Sequence, residues 1–361
     1  MSGNLFSDVY KVKENYFGET LACKEISKLR NDVNYWIENK KNPDNLQYLL
    51  FKMTNRCNSD CKYCPQAISR SKNEIKNDID KDIIFKVIED AKKLGTSAIA
   101  VNGGEPLLRD DIFEIIEKII DNKILPVLMT NGTLLPKSRD QLGKIGLRYV
   151  IISFDSMIKE IYEKQRGISF EKALDGIEAA IKMREKYPGV EIHVSAVLTK
   201  NNQDDFINLV EYMTKRGIKV QISPIHNYLH IKEEISITDR QKIENLVTKL
   251  LEMKKDGYLI ASSVGFIKHL VNFFCDNENI PKNYQCKVGY TNLFIDANMN
   301  VRPCWSDAIG PVGNLKNSSI IDIWTSEYMQ GCREKMLKSQ CEGCWYMCTG
   351  EVNMLLDNLL D

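Results

Sequence analysis

The chain has 361 residues with 49 basic and 49 acidic side chains, so no net field recruits nucleic acid or an anionic membrane, and the length suits one large domain with a smaller one. No apolar run nears the ~20 residues that span a bilayer, and the start, Met-Ser-Gly-Asn-Leu-Phe-Ser-Asp, does not read as a signal peptide. Eleven cysteines without a secretion signal therefore point to metal ligation in the cytoplasm rather than to a disulfide framework.

Residues 1–46 read as a polar, mixed helical extension with no evident chemistry. From there, short apolar runs at 48–53, 97–102, 124–130, 148–154, 190–198 and 218–224 read as strands. Helical-period segments lie between them, among them Lys81–Leu94, Ile112–Asn122, Phe170–Tyr187 and Phe206–Arg216. In the first of these, Ile83, Ile84, Val87, Ile88, Ala91 and Leu94 form the apolar stripe. Such alternation builds a parallel sheet, and six repeats fit an α/β fold, a partial (β/α)6 TIM-like barrel. Functional residues are then expected at the C-terminal ends of the strands. Thr238–Asp256 closes that unit, which spans 47–260, and a linker helix, Val264–Phe274, lies within 261–284. Residues 285–361 read as a small cysteine-rich hairpin-plus-helix domain, with two short strands around an Asn-rich turn between Leu293 and Cys304.

Cys57, Cys61 and Cys64 sit on one tight loop directly after the first strand. Three thiolates cannot all pair off as disulfides, and zinc usually takes four ligands. Thiolates also hold iron–sulfur cubanes, normally four to a cubane, so three suggest one iron left open. Gly103-Gly104-Glu105-Pro106 follows the second strand, where glycines let the backbone approach a ligand. Together these motifs resemble those of the radical S-adenosylmethionine (SAM) superfamily. The resemblance implies a [4Fe–4S] cluster whose open iron chelates SAM, reductive cleavage to a 5′-deoxyadenosyl radical, and a flavodoxin- or ferredoxin-type reductant. It also implies that Gly103, Gly104 and Glu105 receive the SAM amino group and that Asn131 lies near the ligand. Ser153 and Arg166 would hold the SAM carboxylate, with Asp155 alongside. Tyr63 would lie against adenine, and backbone groups of Val197 and Leu198 would read it. An oxygen-labile cluster of this kind also implies an anaerobic setting.

Cys286, Cys304, Cys341 and Cys344 supply a second set of four thiolates, which suits either a structural zinc ion or a closed cluster. Their arrangement resembles the Twitch and SPASM extensions of the same superfamily, which implies one auxiliary [4Fe–4S] cluster that passes electrons; Cys348 is a possible substitute ligand. Cys23 and Cys332 read as small buried hydrophobes. Cys275 and Cys348 are candidate hydrogen-atom donors, and His226, just past the sixth strand, is a candidate proton acceptor or a satisfied loop histidine.

The resulting expectation is a radical SAM enzyme that abstracts a substrate hydrogen and epimerises or cross-links a ribosomally made peptide. A dehydrogenase or epimerase of a sugar, cyclitol or aminoglycoside is the alternative, and a non-catalytic iron–sulfur protein a remote one. No nucleic acid or membrane partner is expected.

Overall fold

The computed structural model describes residues 22–64, 78–226, 235–276, 285–305, 309–338 and 344–357. All six apolar runs form strands: β1 (Tyr48–Lys52), β2 (Ala98–Asn102), β3 (Leu125–Thr130), β4 (Tyr149–Ser153), β5 (Glu191–Leu198) and β6 (Lys219–Pro224). They pair in parallel in chain order. Strands β1, β2 and β4 are each buried at four successive residues and half-buried only at the last, Lys52, Asn102 and Ser153. A strand covered on both faces has no polar alternation to show. The first half-buried residue therefore marks where the barrel opens.

Helices α1 (Ala22–Glu38), α2 (Lys81–Lys93), α3 (Ile112–Asp121), α4 (Leu135–Lys144), α5 (Lys159–Arg166), α6 (Phe170–Lys186), α7 (Phe206–Thr214) and α8 (Arg240–Lys255) accompany these strands. The stripe expected on α2 is the buried one: Ile84, Val87, Ile88 and Ala91 face the core, and Asp80 caps the helix by accepting from Asp82 N. Helix α5 stops at Gly167, whose left-handed backbone (φ 62°) closes the last turn.

The expected linker helix is present as two short ones, α9 (Val264–Lys268) and α10 (Leu270–Cys275). The C-terminal segment then adds to the same sheet. Strand β7 (Asn292–Ile295) runs parallel to β1, with Tyr48 opposite Asn292 and Phe51 opposite Ile295. Strands β8 (Asn300–Arg302) and β9 (Gly313–Asn314) continue antiparallel, giving nine strands in the order β6-β5-β4-β3-β2-β1-β7-β8-β9. This satisfies the backbone groups on the outer edge of β1, which would otherwise be an open template for pairing. The β7–β8 turn is set by Asp296, whose carboxylate accepts from Asn298 N and Asn300 N, with Met299 left-handed.

Helices α11 (Ile320–Trp324), α12 (Glu327–Leu337) and α13 (Val352–Leu356) complete the segment. The buried Arg333 of α12 ties it down, donating to Gly289 O, Trp324 O and Asn42 Oδ1 at 2.9, 2.7 and 2.6 Å. The N-terminal extension clasps the same region: Arg30 Nη2 donates to Leu355 O at 2.8 Å, and Pro43 O accepts from Trp324 Nε1 at 3.0 Å. Among the described residues no helix is long and apolar enough to cross a membrane.

Candidate functional site

A cavity of about 300 Å³ opens at the C-terminal ends of the strands, with Lys52, Asn102, Ser153 and Val197 contributed by β1, β2, β4 and β5. Cys57, Cys61, Cys64 and Tyr63 line it from the cysteine loop, and Gly103, Gly104, Asn131 and Arg166 line it from the loops beyond the strands. Parallel pairing in register brings these strand ends to one rim.

The cysteine loop is held from three sides. Gly104 N and Glu105 N donate to Thr54 O and Arg56 O, both at 2.8 Å. The two glycines are needed for this docking: a Cβ on Gly103 would stand 2.8 Å from Thr54 O, and one on Gly104 2.1 Å from Arg56 O. From just beyond β3, Asn131 Nδ2 donates to Asn58 Oδ1 at 2.7 Å. From the end of α5, the Arg166 carbonyl accepts from Ser59 Oγ at 2.7 Å and from Asp60 N at 3.2 Å.

Glu105 is fully buried behind the wall. Its carboxylate accepts from Thr130 Oγ1 (2.8 Å), Asn131 N (2.7 Å) and Leu107 N (3.1 Å), so it fastens the end of β2 to the end of β3. Burial raises its pKa to about 7, although the three donors pull the other way.

Asp155, also fully buried, draws three other segments to the end of β4. Arg166 donates to it through Nε (2.7 Å) and Nη2 (2.6 Å), Val197 N donates at 2.9 Å, and Tyr63 donates its hydroxyl. Burial disfavours the Arg166 cation, but the charge and hydrogen bonds of Asp155, together with Tyr63 and Cys61, outweigh it and raise its pKa. The expected adenine-reading groups on β5 are engaged within the protein: the Val197 carbonyl accepts from Asn202 Nδ2 at 2.9 Å, and the buried Leu198 accepts from Ile225 N at 3.2 Å. Of these two residues, Val197 is the one that lines the cavity.

Three candidates lie elsewhere. His226 Nδ1 donates to Pro224 O at 2.8 Å, Nε2 accepts from Trp345 N at 2.9 Å, and the ring stacks on Tyr346 with centroids 3.5 Å apart. With both nitrogens engaged, His226 brackets β6 to the C-terminal segment, the arrangement of a satisfied histidine. Cys275 ends α10, where Arg240 of α8 pairs with Asp276; it does not line the cavity, and burial raises its pKa. Cys348 sits in the π-turn Met347–Glu351 with its pKa raised by burial and by neighbouring Cys344. Neither thiol is among the described residues that line the cavity.

Cys344 and Cys286 meet the same segment: Cys344 Sγ lies 3.1 Å from Thr349 Oγ1, and Asn353 Nδ2 donates to Cys286 Sγ at 3.8 Å. Cys304 is buried at the exit of the hairpin. Cys341 and the side chain of Cys23 lie outside the described residues.

The donors suit iron–sulfur chemistry. Cys57, Cys61 and Cys64 bring three sulfurs to one loop, where Ser59 directs its N–H to Cys57 Sγ (3.4 Å) and places its hydroxyl 3.1 Å from Cys61 Sγ, the kind of contact that tunes cluster thiolates. As the side chains stand, no three Cys, His, Asp or Glu among the described residues converge to metal-ligand geometry. The fit thus rests on donor type and on the way the loop is pinned.

Residues 51–213 match the radical SAM superfamily, and residues 286–345 match the SPASM iron–sulfur cluster-binding domain. GTP 3′,8-cyclase of Aliarcobacter butzleri (strain RM4018) is 31% identical over 255 residues, covering 65% of this chain and 76% of that one. This chain belongs to the radical SAM superfamily. It is an enzyme of the radical SAM class with a SPASM domain, and its family implies SAM, a SAM-binding [4Fe–4S] cluster and an auxiliary iron–sulfur cluster. Two solved structures share the radical SAM fold. Streptococcus suis SuiB bound to precursor peptide SuiA has a TM-score of 0.64 at 18% identity, covering 83% of this chain and 69% of that one. AnSMEcpe with bound AdoMet and a Kp18Cys peptide has a TM-score of 0.60 at 20% identity, covering 84% and 88%.

The sequence reading of this radical SAM site passed over Ser59, Asn58, Lys52 and Trp305. A lysine ending an otherwise apolar strand was the available signal for Lys52. The other three depend on contacts that no local pattern carries.

Proposed function

We propose that this radical SAM enzyme acts on a ribosomally made peptide in the cytoplasm, abstracting a substrate hydrogen and epimerising or cross-linking the chain. Residues 47–260 hold the SAM cluster through Cys57, Cys61 and Cys64. Residues 285–361, reached through 261–284, hold the auxiliary cluster through Cys286, Cys304, Cys341 and Cys344, with Cys348 able to replace one of them. When bound, SAM and its cluster supply the 5′-deoxyadenosyl radical, with the electron drawn from a flavodoxin- or ferredoxin-type reductant.

The protein's own residues bind and orient. Arg166, aimed by Asp155, and Ser153 receive the SAM carboxylate; the Gly103–Glu105 segment meets the amino group; and Tyr63, steadied by Asp155, flanks the adenine. Glu105 and Asn131 keep the rim in place.

The observation that carries the peptide reading is the seating of the C-terminal segment on β1, which sends Trp305 into the same cavity as the cysteine loop. A fold of this extent, shared over 83–84% of the chain, occurs in two enzymes solved with peptides. A second reading, cyclisation of a nucleotide, is favoured by the 31% identity to GTP 3′,8-cyclase.

The test is anaerobic incubation of reconstituted enzyme with SAM, dithionite and either GTP or the peptide encoded beside its gene. Faster 5′-deoxyadenosine release with the peptide, together with hydrogen loss or solvent deuterium at one residue by mass spectrometry, supports the proposal. Turnover with GTP alone replaces it with the second reading.

A further inference from the structure

The turn Met347–Glu351 and helix α13 present two polar side chains to sulfurs of the C-terminal segment. Thr349 Oγ1 lies 3.1 Å from Cys344 Sγ, and Asn353 Nδ2 lies 3.8 Å from Cys286 Sγ. Thr349 and Asn353 are both buried. One short stretch of chain thus serves two cysteines that are remote from each other in sequence.

Asn353 locks this stretch in place. Its side-chain oxygen accepts from Lys287 N at 2.7 Å, and its amide donates to Thr349 O at 2.8 Å as well as to Cys286 Sγ. Thr349, by contrast, has a choice. Its hydroxyl carries one hydrogen, and two acceptors stand within reach, Tyr346 O at 3.2 Å and Cys344 Sγ at 3.1 Å. Tyr346 O already accepts from Thr349 N at 3.1 Å and from Gly350 N at 2.6 Å, which occupies the two lone pairs of a carbonyl. While Cys344 keeps its proton, the S–H can donate to Thr349 Oγ1. When iron is ligated that proton leaves for solvent and the sulfur becomes a thiolate. The hydroxyl then turns to the sulfur, and Tyr346 O keeps its two backbone donors.

We infer that Thr349 donates to the Cys344 thiolate ligand and so raises the reduction potential of the auxiliary cluster. Reduction adds one electron from an external reductant and breaks no bond. The added negative charge spreads onto the sulfurs, so an O–H donor stabilises the reduced form more than the oxidised one. The inference rests on the reading of Cys344 as a ligand.

The test is an EPR-monitored redox titration of the reconstituted full chain carrying Cys57→Ala, Cys61→Ala and Cys64→Ala, which leaves the C-terminal centre as the source of the signal, with iron counted per chain. Thr349→Val should shift the reduction equilibrium about tenfold toward the oxidised form, a fall of about 59 mV for one electron, at unchanged iron content. Thr349→Ser should keep the midpoint of the parent chain, because it keeps the hydroxyl. Thr349→Ala should fall as the valine variant does, and it carries the measurement if the valine variant does not fold. A midpoint unmoved when the hydroxyl is removed overturns the inference, as does a midpoint that falls equally in Thr349→Ser. Cys344→Ala in the same background separates the ligand reading from the inference. Iron content and midpoint both unchanged there would remove the ligand reading and the inference with it. Iron lost there, beside a midpoint indifferent to the Thr349 hydroxyl, would keep the ligand and overturn the inference alone.

Discussion

Arg166 and Asp155 form a bidentate pair at the cavity wall, with Nε to Oδ2 at 2.7 Å and Nη2 to Oδ1 at 2.6 Å. The same arginine supplies the carbonyl that receives Ser59 Oγ from the cysteine loop. The side chain that would hold SAM and the loop that would hold its cluster are therefore fixed by one residue. Replacing Asp155 by Asn leaves a buried cation without its counter-charge, which costs on the order of 3–5 kcal/mol. Thermal unfolding should show that loss. In the protein that remains folded, SAM should bind at least tenfold more weakly while iron content changes little; unaltered SAM affinity would count against the aiming role of Asp155.

The glycine pair makes a sterically sharper prediction. In Gly104→Ala the new methyl would fall 2.1 Å from Arg56 O, a backbone atom, so the cysteine loop must move. Iron incorporated on reconstitution should fall severalfold at near-native circular dichroism. Full iron loading in that variant would mean the docking of the two loops is dispensable.

Glu105 gives the pH dependence a sign. Its pKa is raised from 4.5 in the unfolded reference to about 7 in the fold, so the native state binds the extra proton between those values. Its contribution to stability is then complete below pH 4.5 and is lost as pH rises through 7, by up to about 3 kcal/mol. Melting temperature should decline across that window in the wild type. Glu105→Gln should flatten this slope while lowering stability at every pH, because an amide N–H₂ faces donors where an oxygen accepted.

His226 should behave as a bracket. His226→Leu removes one acceptor and one donor, worth about 1–3 kcal/mol together, and frees Trp345 N from its partner. The melting temperature should fall, whereas 5′-deoxyadenosine formation per folded molecule should persist. Loss of that reaction in a fully folded variant would restore a chemical role.

The barrel was legible because its strands are buried on both faces, so each appears as an unbroken apolar run, and α2 was legible because a helix with one wet face shows its period. The rim residues followed from position alone, since half-buried Asn102 and Ser153 end their strands. Pairings across the sequence were not legible. Nothing local to Tyr48 announces Asn292 as its neighbour, nor does His226 signal that Trp345, 119 residues on, occupies its ring nitrogen. For the same reason the place of Cys275 beside α8 is a matter of packing, which spacing does not encode. The N-terminal extension, chemically silent in sequence, earns its place by clasping the C-terminal segment through Arg30 and Pro43.

The central claim is that Cys57, Cys61 and Cys64 hold the cluster that cleaves SAM, while the C-terminal thiols serve a separate centre. Anaerobic chromatography of 5′-deoxyadenosine tests it most directly, comparing the wild type, the triple Ala variant of those cysteines and the Cys286→Ala/Cys344→Ala variant, each reduced with dithionite in the presence of SAM. The product should appear with the wild type and the C-terminal variant and be absent from the triple variant. Its formation by the triple variant would contradict the account.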